Sequence, residues 1–210
     1  MPRHADPAER RRQVAGALLR VVEAEGLEAA SIPRIARELG ATTGLVQTYF
    51  RSKDELLLFA VRHLGELTNA RIAAVLEDHR RAGLKEQLLL ALGVLTGADE
   101  GTGSEARIWL AFLARAAFHP ALRELHAAGA REIRDRCRET LAHARRLGLL
   151  PPDRDVEAEA LALAAFADGL AVQRAVEPEL MSAERVRDLL RRYLDRLIDD
   201  EPDPHQGEHR

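Results

Sequence analysis

Ser31-Ile-Pro-Arg-Ile-Ala-Arg-Glu-Leu-Gly40-Ala-Thr-Thr-Gly-Leu-Val-Gln-Thr-Tyr-Phe50-Arg-Ser-Lys-Asp-Glu55 is the stretch on which the reading of this chain turns. Ile32, Ile35, Ala36 and Leu39 recur at helical spacing, Ser31 can cap the first amides, and Gly40 stands where a helix ends in a left-handed residue. The spacing predicts a short helix from Ser31 to Leu39. Thr42 or Thr43 caps a second helix, whose inward face is Leu45 or Val46 with Tyr49 and Phe50. Ala36 is small where two helices must cross closely, and the turn has the few residues that helix-turn-helix geometry requires. Ser52 and Glu55 form a capping box, so a third helix starts sharply after Phe50.

Spacing alone leaves two readings open, a DNA-reading helix-turn-helix and an ordinary helical hairpin. Gly26 precedes the stretch, Tyr49-Phe50 end its second helix, Lys53 follows at once, and Leu56-Leu57 come next. With these residues the segment, roughly 8 to 60, resembles the N-terminal domain of the TetR family of transcriptional repressors. The resemblance implies that Arg34, Thr42, Tyr49 and Lys53 meet phosphate, while Thr43, Gly44, Gln47 and Thr48 face bases. Gln47 departs from the family pattern, because many members carry there a tyrosine that touches the DNA backbone. A glutamine offers one donor and one acceptor at its tip, which suits an adenine edge in the major groove; a phosphate contact is the other reading.

Composition bounds the answer independently. The 210 residues are 46% hydrophobic and 31% charged, the balance of a globular chain of one or two domains with a sizeable core. Aromatic residues are only 4%, and no two-residue alternation runs long enough for a strand, so an all-α fold is expected. No apolar run reaches a membrane span and the first residues are too polar for a signal peptide, which places the chain in the cytoplasm with no membrane partner. The net charge of −3 is unlike that of a generally basic DNA-binding protein. Its distribution is more informative: residues 1–55 carry nine basic and eight acidic side chains, and the rest of the chain is net acidic. Arg10-Arg11-Arg12 lie before the helix-turn-helix, where phosphate contacts are needed, although a solvated helix face explains each of them as well.

About nine helices are predicted. Pro7 sits at the first turn of one whose stripe of Val14, Ala17, Leu18, Val21 and Val22 ends at Gly26. After the capping box, a helix from about Lys53 to His79 turns Leu56, Leu57, Ala60, Leu64, Leu67, Ile72 and Val75 inward. It is about 40 Å long at about 1.5 Å per residue, enough to serve two domains, and in the family such a helix links ligand to DNA-binding head. Leu84–Leu95 follow, then the glycine-rich 97–103 as a flexible loop, and helices over 104–118, 120–146, 156–176 and 183–199. The polar tail 200–210 is expected to be disordered. The domains are therefore 1–52, an N-terminal three-helix helix-turn-helix domain, and 53–199, a C-terminal helical ligand-binding and dimerisation domain.

The last two helices offer a stripe of Leu161, Ala164, Ala165, Asp168, Gly169 and Val172, and a facing set of Val186, Leu189, Leu190, Tyr193, Leu194 and Leu197. They pack either within one chain or as a four-helix bundle with a second copy, and family resemblance favours the homodimer. Trp109, Phe112 and Phe166, with His63, Glu105 and Asp168, are the expected effector pocket, ordinary core packing being the alternative for the aromatics. The segment from Trp109 to Pro120, with Asp168-Gly-Leu170 later, is similar to the C-terminal domain of the choline-responsive subgroup. Aromatic faces and an acid suit a cationic ligand; an apolar drug or acyl ligand is the other possibility.

Nothing in the sequence points to an enzyme, a metal site or a cofactor. The eight histidines are scattered without metal-ligand spacing, no glycine-rich phosphate loop or serine elbow is present, and the lone Cys137 reads as a buried filler. The expected protein is a ligand-responsive repressor that binds a palindromic double-stranded DNA operator as a homodimer and is released by a small-molecule effector. The rival reading is a helical ligand-binding protein without sequence-specific DNA binding.

Overall fold

The computed structural model describes residues 6–99 and 103–199. Among them are nine α-helices and no strand: α1 (Pro7–Glu25), α2 (Ile32–Leu39), α3 (Thr43–Tyr49), α4 (Lys53–Asp78), α5 (Leu84–Leu95), α6 (Gly103–Ala116), α7 (Pro120–Arg146), α8 (Val156–Val176) and α9 (Ala183–Leu197). The all-α expectation holds, with helix ends within a residue or two of those read from the sequence. Local chemistry sets several of these ends. Asp6 accepts the Ala8 amide ahead of Pro7, Asp155 accepts the Glu157 and Ala158 amides, and the Ser182 hydroxyl accepts the Arg185 amide. The expected disordered tail at 200–210 lies outside the described residues.

The chain packs as two compact units, Met1–Ala70 with Ser104–Gly129, and Arg71–Gly103 with Ala130–Arg210. α4 and α7 each supply residues to both. In the first unit, α1 packs on α2 and α3. Val14, Leu18, Val21, Ile35, Val46, Phe50, Leu56 and Leu57 fill its core, and Ile108 and Phe112 of α6 belong to the same cluster. α6 and the start of α7 are also tied to the first turn of α4: Asp54 meets Arg115 at 3.4 Å and His119 at 3.6 Å. The His119 Nδ1 accepts the Leu122 amide at 3.4 Å, which leaves Nε2 as the protonated nitrogen facing that carboxylate.

In the second unit, Leu88, Leu89 and Leu92 of α5, Cys137 and Leu141 of α7, Leu163 and Leu170 of α8, and Leu190 and Leu194 of α9 form one core. Three expectations change here and on α4. Val186, Leu190, Leu194 and Leu197 of α9 are buried within the unit, so this face is filled by α5 and α8 rather than left for a second copy. Leu67 of α4 is not inward but 42% exposed, because the helical period carries its position round to the outer side between Leu64 and Ile72. The described start of the glycine-rich loop is fastened, not free: Gly97 and Ala98 are buried, the Arg174 Nε donates to the Gly97 carbonyl at 2.7 Å, and Arg187 donates to the Ala98 carbonyl. Burial, and secondarily the charge of Arg187, lowers the Arg174 pKa. Cys137 is buried as expected; burial, with a smaller contribution from Asp168, pushes its thiol up to about 11.

Candidate nucleic-acid interface

The turn between α2 and α3 is built from three short-range features. The Ser31 hydroxyl accepts the Arg34 amide at 3.3 Å and opens α2. Gly40, at φ 67° and ψ 32°, closes it in the left-handed region, with the Ala41 amide donating to the Ala36 carbonyl at 2.9 Å. The Thr42 hydroxyl then accepts the Leu45 amide at 3.2 Å and opens α3. Val46 is the buried anchor of α3, and Phe50 leaves the helix in an extended conformation with its ring in the core. Ser52 accepts the Glu55 amide at 3.1 Å to start α4. The capping box is modified, since the Glu55 carboxylate reaches back past Ser52 to the Arg51 amide, at 2.9 Å. That backbone hydrogen bond is the main reason the Glu55 pKa lies below the ordinary glutamate value.

These constraints turn one face of α3 outward. Thr42, Thr43, Gly44, Gln47 and Thr48 are all exposed and uncharged, while Tyr49 and Lys53 are half-buried beside them. The Thr48 hydroxyl is engaged with the Gly44 carbonyl at 2.9 Å, leaving its methyl and an oxygen lone pair for a partner. A Cβ built on Gly44 would approach only the Thr42 hydroxyl, at 3.9 Å, so the protein itself does not require glycine there.

The Arg34 guanidinium donates to Glu25 at 2.6 Å and to Glu38 at 3.2 Å, and Glu38 also takes the Arg20 Nε at 3.0 Å. These pairs tie α1 to α2, so the phosphate role implied for Arg34 has two carboxylates beside it. The hydrogen bonds from Arg20 and then Arg34 hold Glu38 below the usual carboxylate range. The arginine cluster of α1 is likewise divided. Arg12 pairs with Glu9 and Arg10 with Gln13, whereas Arg11 points inward to Tyr49, Phe50 and Glu55. The sequence carried a signal for this: Arg11 precedes Val14 and Leu18 by three and seven residues and so shares their inward stripe.

Of the six residues expected around an effector, His63, Glu105, Trp109 and Phe112 belong to the first unit and Phe166 and Asp168 to the second. His63 is mostly buried on α4, stacked on Phe59 with ring centroids 6.4 Å apart, and its Nδ1 lies 3.6 Å from the Glu66 carboxylate without a hydrogen bond among the described residues. Glu105 is half-buried in the first turn of α6. Trp109 is half-buried against His126, centroids 6.2 Å apart. Phe112 is a core residue of the first unit, the ordinary packing reading. In the second unit, Phe166 stacks on Tyr193 at 4.7 Å, and Asp168 is exposed on the outer face of α8. No metal-binding cluster occurs among the described residues, and none of their helices is long and apolar enough to cross a membrane.

A capped two-helix corner presenting an exposed polar helix defines a helix-turn-helix regulator. Residues 16–60 match the tetR family of bacterial regulatory proteins, and residues 84–199 match the C-terminal domain of BetI-type transcriptional repressors. The HTH-type transcriptional regulator PksA of Bacillus subtilis is 30% identical over 209 residues, covering 100% of both chains. The HTH-type transcriptional regulator BetI 2 of Chromohalobacter salexigens is 31% identical, covering 94% of this chain and 93% of its own. A transcriptional regulator from Saccharomonospora viridis, solved in complex with choline, shares the fold with a TM-score of 0.82 at 24% identity, over 92% of this chain and 100% of that one. The chain belongs to the TetR family, as a BetI-type transcriptional repressor with a helix-turn-helix DNA-binding head and a ligand-binding C-terminal domain.

Proposed function

We propose that the protein represses transcription in the cytoplasm as a homodimer on a two-fold symmetric operator, and that a small-molecule effector releases it. The observation that carries this reading is the exposed, uncharged outer face of α3, which is held in place by caps and by the buried Val46. Thr42, Tyr49 and Lys53 are assigned to phosphate, and Thr43, Gly44, Gln47 and Thr48 to base edges. Residues 1–52 act as the DNA-binding domain and 53–199 as the effector-binding and dimerisation domain, without enzymatic activity.

The dimer seam is assigned to the outer face of α8, where Leu161, Ala165, Gly169 and Val176 are exposed and small or apolar. Small side chains there allow a second copy of α8 to approach closely. The effector is assigned to His63, Glu105 and Trp109 of the first unit: a partly buried ring, an acid, and a buried imidazole nitrogen that makes no hydrogen bond among the described residues and lies 3.6 Å from the Glu66 carboxylate. An aromatic face with a carboxylate favours a quaternary ammonium ligand, in keeping with the subgroup resemblance and the choline-bound relative of the same fold.

Gel-shift titration against the DNA upstream of its own reading frame, across a range of salt, tests the reading. Sequence-selective retention at physiological salt, reduced by an added quaternary amine, is expected. Binding that disappears uniformly with salt supports the ligand-carrier alternative. Calorimetry against quaternary amines giving no heat removes that effector class and leaves the repressor reading in place.

A further inference from the structure

Arg11 makes four contacts that converge on the junction between α3 and α4. Its Nη1 donates to the Tyr49 carbonyl at 3.1 Å, the last carbonyl of α3, which has no partner within the helix. Its Nη2 pairs with the Glu55 carboxylate at 3.2 Å. The guanidinium carbon lies 4.4 Å from the Phe50 ring centroid and 4.9 Å from that of Phe59, and the two rings meet edge to face at 5.4 Å. Glu55 in turn holds the Arg51 amide, so the chain from Tyr49 to Glu55 is gripped at both ends of the bend.

From this geometry we infer that Arg11 is a positioning residue for operator reading: it fixes the angle at which α3 leaves the head, and it does not touch DNA. The inference rests on α3 being the reading helix. Two observations separate Arg11 from Arg10 and Arg12: its fork is used on two acceptors that lie on different elements, and its planar face is used on two rings. Its side chain is about one-third exposed, at 34%. α3 has only seven residues and a single fully buried side chain of its own, Val46, so its core contacts alone leave rotation about that anchor weakly opposed. The Arg11 contacts sit at its C-terminal end, the opposite end from the Thr42 cap. Thr42 and Arg11 together therefore hold both ends of α3, and Gly44, Gln47 and Thr48 lie between the two points of support. A lysine supplies the charge but not the planar fork, and a lone ammonium cannot serve the carbonyl, the carboxylate and both ring faces together.

The test compares full-length wild type with Arg11→Lys, Arg11→Gln, Glu55→Gln and Lys53→Ala, measuring affinity for the preferred operator and for unrelated DNA over a range of salt, with thermal melts as the control on folding. Arg11→Lys and Arg11→Gln are expected to lower operator affinity by roughly tenfold or more, the scale of a lost base contact. Their affinity for unrelated DNA and their salt slope are expected to stay at the wild-type values. Glu55→Gln is expected to show a smaller loss of the same kind, since Tyr49 and the rings still hold Arg11. Lys53→Ala, a phosphate position, is expected to weaken both DNAs alike and reduce the salt slope by about one per subunit. A reduced slope in Arg11→Gln makes Arg11 a phosphate contact and overturns the inference. Unchanged operator preference in both Arg11 variants overturns it as well. Absence of sequence preference in the wild type is a different failure, of the reading of α3 itself, and the inference falls with it.

Discussion

Gly44→Ala separates what the head needs in order to fold from what it needs in order to bind. Gly44 lies in the first turn of α3 without a positive φ, and a Cβ there has no neighbour closer than the Thr42 hydroxyl, at 3.9 Å. For the free protein the substitution removes backbone freedom from the unfolded chain and adds a helix-favouring methyl, a gain of up to about 0.5–1 kcal/mol. For a chain of this length that raises Tm by up to about 3 °C. The bound state behaves oppositely, because a glycine on the outer face of a reading helix lets backbone come against the DNA. A methyl forced into a filled contact costs about 1–3 kcal/mol, so one clash per subunit lowers operator affinity by roughly tenfold or more. Fluorescence anisotropy on labelled operator at fixed salt reads the second effect, and circular dichroism melts read the first. Unchanged affinity would show that the start of α3 does not approach DNA to methyl distance. A lowered Tm would show that the space around Gly44 differs from that described.

Gly169→Arg on the outer face of α8 adds a long charged side chain where, apart from the helix's own adjacent backbone, nothing lies within 4 Å of the Cβ position. The folded monomer should tolerate it while the dimer dissociates in sedimentation velocity; a dimer that persists would move the seam elsewhere. The Cys137 thiol, pushed up to about 11, should react with an alkylating reagent at pH 8 roughly a hundredfold more slowly than an ordinary cysteine until the protein is unfolded, and rapid labelling of the folded protein would contradict its burial. Because the folded-state pKa of Glu55 is lowered, its stabilising contribution is present above the ordinary glutamate value of about 4.3 and is lost as pH falls through the depressed folded value. The gap in melting temperature between wild type and Glu55→Gln should therefore be present at neutral pH and close on acidification; a gap constant down to low pH would remove the charge from that account.

The helix-turn-helix was legible because its signals are local. Ser31, Thr42 and Ser52 each accept the amide three residues on, Gly40 ends α2 in the left-handed region, and Glu55 alone departs from its expected partner, taking the Arg51 amide in place of that of Ser52. The partner that each amphipathic face meets was less legible, because a helical period gives the face but not what covers it. By spacing the leucines of α9 suit a dimer seam or packing within one chain, family resemblance favoured the seam, and Leu190, Leu194 and Leu197 fill the core of the second unit. For Phe112 the sequence left a pocket wall and core packing open, and its side chain packs in the core cluster of the first unit. Charge was least legible of all. Arg34 resembles a phosphate contact in sequence, yet Glu25 and Glu38, nine residues before it and four after, close around it only once α1 and α2 pack together. Arg11 was hidden in a run of three arginines, and only its register with Val14 and Leu18 set it apart.

The central claim is that two copies of α3, paired by symmetry, read DNA. Selection of double-stranded DNA from a random library by the full-length protein at physiological salt tests it most directly. Enrichment of a two-fold symmetric sequence with half-sites about one helical turn apart or more, lost in Gly44→Ala and split into single half-sites in Gly169→Arg, is the predicted result. No enrichment, or an asymmetric sequence retained by both variants, would contradict it.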